Sequence, residues 1–153
     1  MTASMHHYIE SGLSNVYIAG IAIGVDEDGD EVLRIPAINE LHRVIATGIV
    51  GHAKGISGAE LRFLRTEMGL TQAELAATVH RDKQSIGRWE RGEIGIDGPA
   101  EALVRRLAIE KLALPVDTGI DELSRRSVPA DRAQPINIRK VDSTAHPYQL
   151  TAA

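Results

Sequence analysis

The spacing of apolar residues changes along the chain, and each change predicts a different element. Residues 16–25 (VYIAGIAIGV) are rich in β-branched side chains, which is typical of a strand, and residues 31–35 (EVLRI) repeat that character. Asp28-Gly29 is a turn signal between them, so the two strands are predicted to form a hairpin. Over residues 38–50 the apolar positions recur at helical spacing and predict a helix.

Two capping boxes mark the starts of further helices. Ser57 is followed three residues later by Glu60, and Thr71 is followed by Glu74 at the same spacing. In each pair the hydroxyl can accept from the glutamate's backbone N–H while the carboxylate reaches back to the cap. Asp82 is a good N-cap for a third helix.

The helix after Asp82 has two contrasting faces. Ile86 and Trp89 lie three residues apart and are predicted to be buried, whereas Lys83, Gln84 and Arg88 form a hydrogen-bonding face suited to base edges. Gly87 lies among them. Because glycine destabilises a helix by about 1 kcal/mol relative to alanine, a packing or recognition reason is expected.

The runs LRFLRTEMGLTQAELA and QSIGRWERG resemble the helix-turn-helix of the Cro/C1 repressor class, the XRE family, over residues 56–112. The resemblance implies a set of contacts to DNA and one structural ion pair. These are base contacts from Lys83, Gln84 and Arg88, backbone contacts from Gln72, Ser85 and Arg91, and a pair between Arg65 and Glu90. Two residues depart from the family pattern, since His80 and Arg81 replace the usual glycine and aliphatic residue of the turn.

The expected fold is mainly α: a lambda-repressor-like helix-turn-helix bundle, a small N-terminal α+β segment and an extended C-terminal tail. The expected boundaries are 1–55 for the hairpin and helix, 56–114 for the DNA-binding domain and 115–153 for the tail. Pro99 is well placed to begin the last helix of the bundle, which Pro115 stops.

The tail loses apolar periodicity and is expected to be mostly extended or disordered, although PINIRKV is compatible with a short strand on a neighbouring edge. Its basic residues could touch phosphates, but the tail has no net charge and a solvated tail is favoured. Those residues are Arg125, Arg126, Arg139 and Lys140.

The N-terminal run YIESGLSNVYI is similar to the N-terminal part of regulators akin to MqsA-type antitoxins, in which related proteins carry zinc-binding cysteines. Tyr8 and Ser11 occupy the positions of such a C-x-x-C pair, so the metal role does not transfer. This kinship adds a toxin protein as an alternative partner.

Charge and composition limit the class of protein to which the chain can belong. The 153 residues carry a net charge of −4, but residues 80–92 hold four basic and two acidic residues, so basic charge concentrates on the predicted DNA face. The absence of cysteine excludes disulfides and thiolate metal sites. No apolar run could span a bilayer and MTASMHHYIESG does not resemble a signal peptide, so a cytoplasmic protein without membrane contact is expected.

The sequence gives little support for a catalytic site or a metal site. Asp26, Asp28 and Asp30 have calcium-loop spacing, but the glutamate of a twelve-residue loop is missing and strands flank the run, so a solvated hairpin is favoured. The six histidines are dispersed, and GHAKGISG lacks the order of a phosphate-binding loop. No cofactor, no metal site and no enzymatic activity are expected.

The sequence therefore predicts a sequence-specific transcriptional regulator, a repressor that binds an inverted repeat of double-stranded DNA as a homodimer. An antitoxin that neutralises a toxin and autoregulates its operon is the alternative. A helical protein-interaction module that makes no DNA contact is the third hypothesis.

Overall fold

In the computed structural model, which describes residues 5–151, strands from both ends of the chain enclose a helical middle. Residues 1–4 of the expected N-terminal segment and 152–153 of the expected tail lie outside that range. The strands are β1 Met5–His7, β2 Val16–Ala19, β3 Ile23–Val25, β4 Glu31–Leu33, β5 Ile136–Lys140 and β6 Tyr148–Leu150. The helices are α1 Ile38–Val50, α2 Gly58–Glu67, α3 Gln72–Val79, α4 Lys83–Glu90, α5 Gly98–Lys111 and α6 Ile120–Arg126. Within the described part of the chain, no helix is both long and apolar enough to cross a membrane.

The helices of the middle segment begin where the local signals predict. Both capping boxes form: Glu60 N–H donates to Ser57 Oγ over 3.1 Å, and Glu74 N–H donates to Thr71 Oγ1 over 3.0 Å. The reciprocal bonds from the cap N–H groups to the glutamate carboxylates measure 2.9 and 3.0 Å. These bonds satisfy backbone donors that would otherwise lack partners at a helix start.

The expectation of a mostly extended or disordered tail is wrong for the described residues after 115, although the short strand considered for PINIRKV does form, as β5. The segment after 115 forms α6 and then β5 and β6, which complete a four-stranded sheet of order β1-β2-β5-β6. Strand β5 runs parallel to β2, with Val16 opposite Ile136 and Ile18 opposite Ile138, and all four side chains are buried. The tail is ordered because its alternating apolar residues meet a partner strand from the other end of the chain.

The predicted strand over residues 16–25 is two strands with different partners. Gly20 adopts φ +85°, a conformation that favours glycine, and it ends β2. Strand β3 then pairs with β4 in the predicted hairpin, with Val25 opposite Glu31. The first half of the segment is thereby free to join the main sheet.

Strands of the expected segments 1–55 and 115–153 form one layer, in which α1 packs against β5 and β6. Helix α6 packs on α5 instead and belongs with the helix-turn-helix helices, the second layer, which lies within the connection between β2 and β5. Tyr8 and Ser11, noted for their spacing, serve packing here. Tyr8 is buried with its hydroxyl 3.0 Å from His42 Nε2, and the Ser11 hydroxyl donates to the Tyr8 carbonyl.

Arg105 of α5 joins the two layers. Its side chain is fully buried and donates to the carbonyls of His52 (2.8 Å) and Lys54 (2.5 Å), in the connection between α1 and α2. The guanidinium also pairs with Glu101 over 2.7 Å. Burial raises the pKa of Glu101 even though the neighbouring Arg105 opposes that effect. The carbonyls of this connection therefore take hydrogen bonds from the buried Arg105 and, at Lys54 and Gly55, from the Gln134 amide.

Arg105→Ala should destabilise the protein by about 3–5 kcal/mol, because it leaves Glu101 as an unpaired buried charge and removes the guanidinium donor to the His52 carbonyl. Arg125 of α6 is the control, since 71% of its side chain is exposed in its pair with Glu122, and Arg125→Ala should change the free energy of unfolding by at most about 1 kcal/mol. Urea unfolding measures both. Equal effects for the two variants would contradict the role given to Arg105.

Glu60 forms a second buried link between the layers. Its Oε1 completes the capping box of α2, while its Oε2 lies 2.6 Å from His52 Nε2 and accepts from Asn15 Nδ2 over 3.0 Å. Burial alone would raise the pKa of Glu60, but the hydrogen bonds and the charge of His52 hold it below the ordinary value of 4.5. The carboxylate is therefore stabilised in its ionised form.

A group with a lowered pKa contributes stability above its unfolded value, and that contribution is lost as the pH falls through the folded value. Glu60→Gln should therefore destabilise the protein by about 1–3 kcal/mol at pH 7, with a difference that shrinks as the pH falls below 4.5. Urea unfolding across this range, with Glu110→Gln as the control for an exposed charge, tests the expectation. A pH-independent difference would contradict it.

Candidate nucleic-acid interface

The turn between α3 and α4 keeps the geometry of a helix-turn-helix despite its two unusual residues. His80 ends α3 in the left-handed conformation, with φ 57°, which is the conformation that a glycine adopts most easily. The Arg81 guanidinium donates to Asp97 Oδ2 over 2.8 Å, while Asp97 Oδ1 caps α5 through Ala100 N–H. Asp97 thus anchors the turn and the start of α5 together.

Helix α4 is oriented by its two apolar residues. Ile86 is fully buried and Trp89 is 7% exposed, as their spacing predicts. Lys83, Gln84 and Arg88 are exposed on the opposite side. At the first turn Asp82 Oδ1 accepts from Ser85 N–H over 2.7 Å and caps the helix. The long polar side chains consequently face solvent from a fixed helix.

A surface groove gathers five of the six side chains to which the sequence assigns DNA contacts. It runs along α4 from the start of α3. Its lining residues are Gln72, Lys83, Gln84, Gly87, Arg88 and Arg91. Ser85, the remaining residue of that set, is half-buried and does not line the groove, and its backbone N–H is engaged by Asp82.

Glu90 connects three helices beneath this groove. Arg65 of α2 donates to it twice, from Nε over 2.6 Å and from Nη2 over 3.0 Å, and the pair is largely buried. Gln72 of α3 donates to Glu90 Oε1 over 3.1 Å. The hydrogen bonds to Glu90 raise the pKa of Arg65 and keep it charged. The pair fixes the angle between α4 and the two helices that support it.

Gly87 has a packing reason. A Cβ built at this position would lie 3.0 Å from Arg91 Nη1 and 3.8 Å from Gln72 Oε1. The Arg91 side chain therefore crosses the helix surface where a larger residue would push it outward. The residue that packs on Gly87 is not apparent from the sequence.

Two further contributors to the site were not anticipated from the sequence. Glu93 accepts from Arg91 Nη2 over 3.0 Å at the edge of the groove, and Asp97 anchors Arg81. The only local signal for Glu93 is its position directly after Gly92, which has φ 72° and ends the helix. Among residues 5–151 no three or more histidines, aspartates or glutamates are grouped so as to hold a metal ion.

Comparison with known proteins gives a match for the middle of the chain. Residues 58–113 match a family model described as a helix-turn-helix domain, over about a third of the chain. No curated protein and no solved structure matches it. The chain thus contains a helix-turn-helix domain, a unit that is typically non-enzymatic and indicates a DNA-binding regulator with DNA as partner.

Gly87→Ala should stabilise the protein by about 0.5–1 kcal/mol, because alanine is the better helix residue and only the flexible end of Arg91 must move. The same change should weaken DNA binding, since it displaces Arg91 from the groove. Urea unfolding and fluorescence anisotropy with labelled duplex DNA measure the two effects. An unchanged affinity would show that the position of Arg91 over residue 87 is irrelevant to binding.

Proposed function

We propose that this protein is a sequence-specific transcriptional repressor of the XRE class that binds an inverted-repeat operator as a homodimer. The observation that carries the proposal is the groove along α4. Five side chains that the family resemblance assigns to DNA contacts line it together, on the side opposite the buried Ile86 and Trp89. If this were only a solvated helix face, these five residues would have no reason to line one groove.

The roles follow from the chemistry of the side chains. Arg88 and Gln84 are exposed on α4, and in the major groove these residue types form bidentate contacts to guanine and adenine, respectively. Lys83 adds a third base contact from the first turn. Gln72 and Arg91 border the helix and bind phosphates, and the N-terminal amides of α3 face the same backbone. Ser85, which is half-buried on the same helix, adds a contact to the DNA backbone.

One short helix contacts too few base pairs to specify an operator alone, so the protein binds as a homodimer. Two copies related by a twofold axis read two half-sites about 34 Å apart, or a multiple of that distance. A repressor occupies such a site in its own promoter and blocks transcription from it.

The first test compares binding to the DNA upstream of the protein's own gene with binding to a scrambled duplex at two salt concentrations. Preference for the upstream DNA that survives the higher salt concentration supports the proposal, because non-specific binding is electrostatic and falls steeply with salt. Sedimentation of the complex gives the number of copies bound. Equal affinity for both duplexes at both salt concentrations would overturn sequence-specific binding.

Arg88→Ala and Arg91→Ala should affect DNA binding in different ways. Loss of Arg88 should reduce the affinity for the cognate site by about 1–3 kcal/mol and relax base preference, whereas loss of Arg91 should weaken all sequences alike and flatten the salt dependence by at most about one phosphate equivalent. Titrations against cognate and scrambled duplexes across a salt series measure both.

The control is Arg125→Ala, which removes an exposed arginine of α6 that is paired with Glu122 and does not line the groove. It should leave the affinity unchanged. A uniform loss on every sequence for both Arg88→Ala and Arg91→Ala would contradict the division into base and backbone contacts.

A further inference from the structure

Glu93 is an acidic residue held at the edge of a groove that is otherwise polar or basic. Gly92 ends α4 in the left-handed conformation, and the Glu93 N–H donates to the Arg88 carbonyl over 3.0 Å. This hydrogen bond fixes the backbone of Glu93 beside the last turn of α4. The position of the carboxylate is thus a consequence of how the helix ends.

The Glu93 carboxylate is paired with Arg91, a cation of the groove that is otherwise available to phosphate. Arg91 Nη2 donates to Glu93 Oε2 over 3.0 Å, with 61% of the Arg91 side chain and 53% of the Glu93 side chain exposed. The hydrogen bond from Arg91, and further the charge of Arg88, hold the pKa of Glu93 below its ordinary value. The carboxylate is therefore ionised at neutral pH, next to two arginines of the groove.

Folding gives little reason for this arrangement. An ion pair as exposed as this one contributes at most about 1 kcal/mol to stability, and its two side chains belong to the same turn. A phosphate that approaches Arg91, by contrast, must displace Glu93 or accept its repulsion. The pair has its main effect on an approaching anion.

We infer that Glu93 competes with DNA phosphate for Arg91 and thereby sets the affinity and the salt dependence of DNA binding. The inference rests on the proposed function and adds a residue that tunes it. Because phosphates carry no sequence information, the effect is the same on cognate and on scrambled DNA.

The salt dependence separates this competition from a general change in stability. In the native protein, phosphate binding by Arg91 releases a counterion from DNA but leaves Glu93 unpaired, and the freed carboxylate attracts a cation in return. Without the carboxylate charge the release is no longer offset. The slope of log affinity against log salt should then steepen by up to about 0.9, the value for one phosphate contact.

Glu93→Gln tests the inference, because the amide oxygen can still accept from Arg91 while the charge is gone. We expect affinity for both cognate and scrambled duplexes to rise about two- to fivefold at low salt, as for an exposed ion pair. Glu110→Gln is the matched control: it removes an equally exposed charge that is paired with Arg106 outside the groove. It should change the affinity by much less, and thermal unfolding of each variant excludes a folding defect.

A double-mutant cycle with Arg91→Ala supplies the decisive comparison. If Glu93 acts by competing for Arg91, the gain from Glu93→Gln should shrink in the Arg91→Ala background to no more than about half on a logarithmic scale. An undiminished gain, or a loss of affinity in Glu93→Gln, would overturn the inference while the proposed function stands. Absence of DNA binding by the unmodified protein at low salt would overturn both.

Discussion

The burial of the Arg105 guanidinium is the constraint on which the two layers of this molecule depend. A cation removed from water needs an anion and full use of its donors, and Arg105 finds Glu101 and the carbonyls between α1 and α2. Those carbonyls belong to a connection without regular structure, which has no ladder of its own to satisfy them. Arg105 therefore holds α5 against the connection, and it orders that connection together with Gln134, which donates to the Lys54 and Gly55 carbonyls.

The groove along α4 is built on a second, smaller polar centre. Glu90 accepts from Arg65 and Gln72, so that the helix carrying the exposed polar residues is tied to both helices beneath it. The Arg65–Glu90 pair also affects the groove itself, because Gln72 contacts both. Gln72 lines the groove with the same amide that binds Glu90, which limits its reach and gives it a defined direction.

The sequence predicted what local chemistry determines and failed where distant segments meet. Capping boxes and the spacing of Ile86 and Trp89 act over three residues, so the middle helices and the direction of α4 could be predicted. A short strand over PINIRKV is compatible with the sequence, but the sheet could not be predicted, because β5 pairs with β2 and these strands are separated by most of the chain. Likewise Arg105 is a charged residue in a helix, and nothing in its neighbours indicates that folded carbonyls will surround it. In the groove the contact set came from resemblance, whereas the effects of Gly87 and Glu93 required the position of Arg91.

The order of elements links the sheet to the helix-turn-helix more closely than a division at residues 55 and 115 suggests. Glu60 begins α2 through its bond with Ser57, and the same carboxylate accepts from Asn15, which also donates to the Gln134 carbonyl beside β5. The first turn of the helix-turn-helix and the start of the parallel pairing of β2 and β5 thus share one carboxylate. Since hydrogen bonds to a buried charge are strong and directional, a displacement of either strand must change the cap of α2 or break the bond. The sheet is therefore part of the mechanical support of the helix-turn-helix, and removing it would expose both the cap and the connection that Arg105 orders.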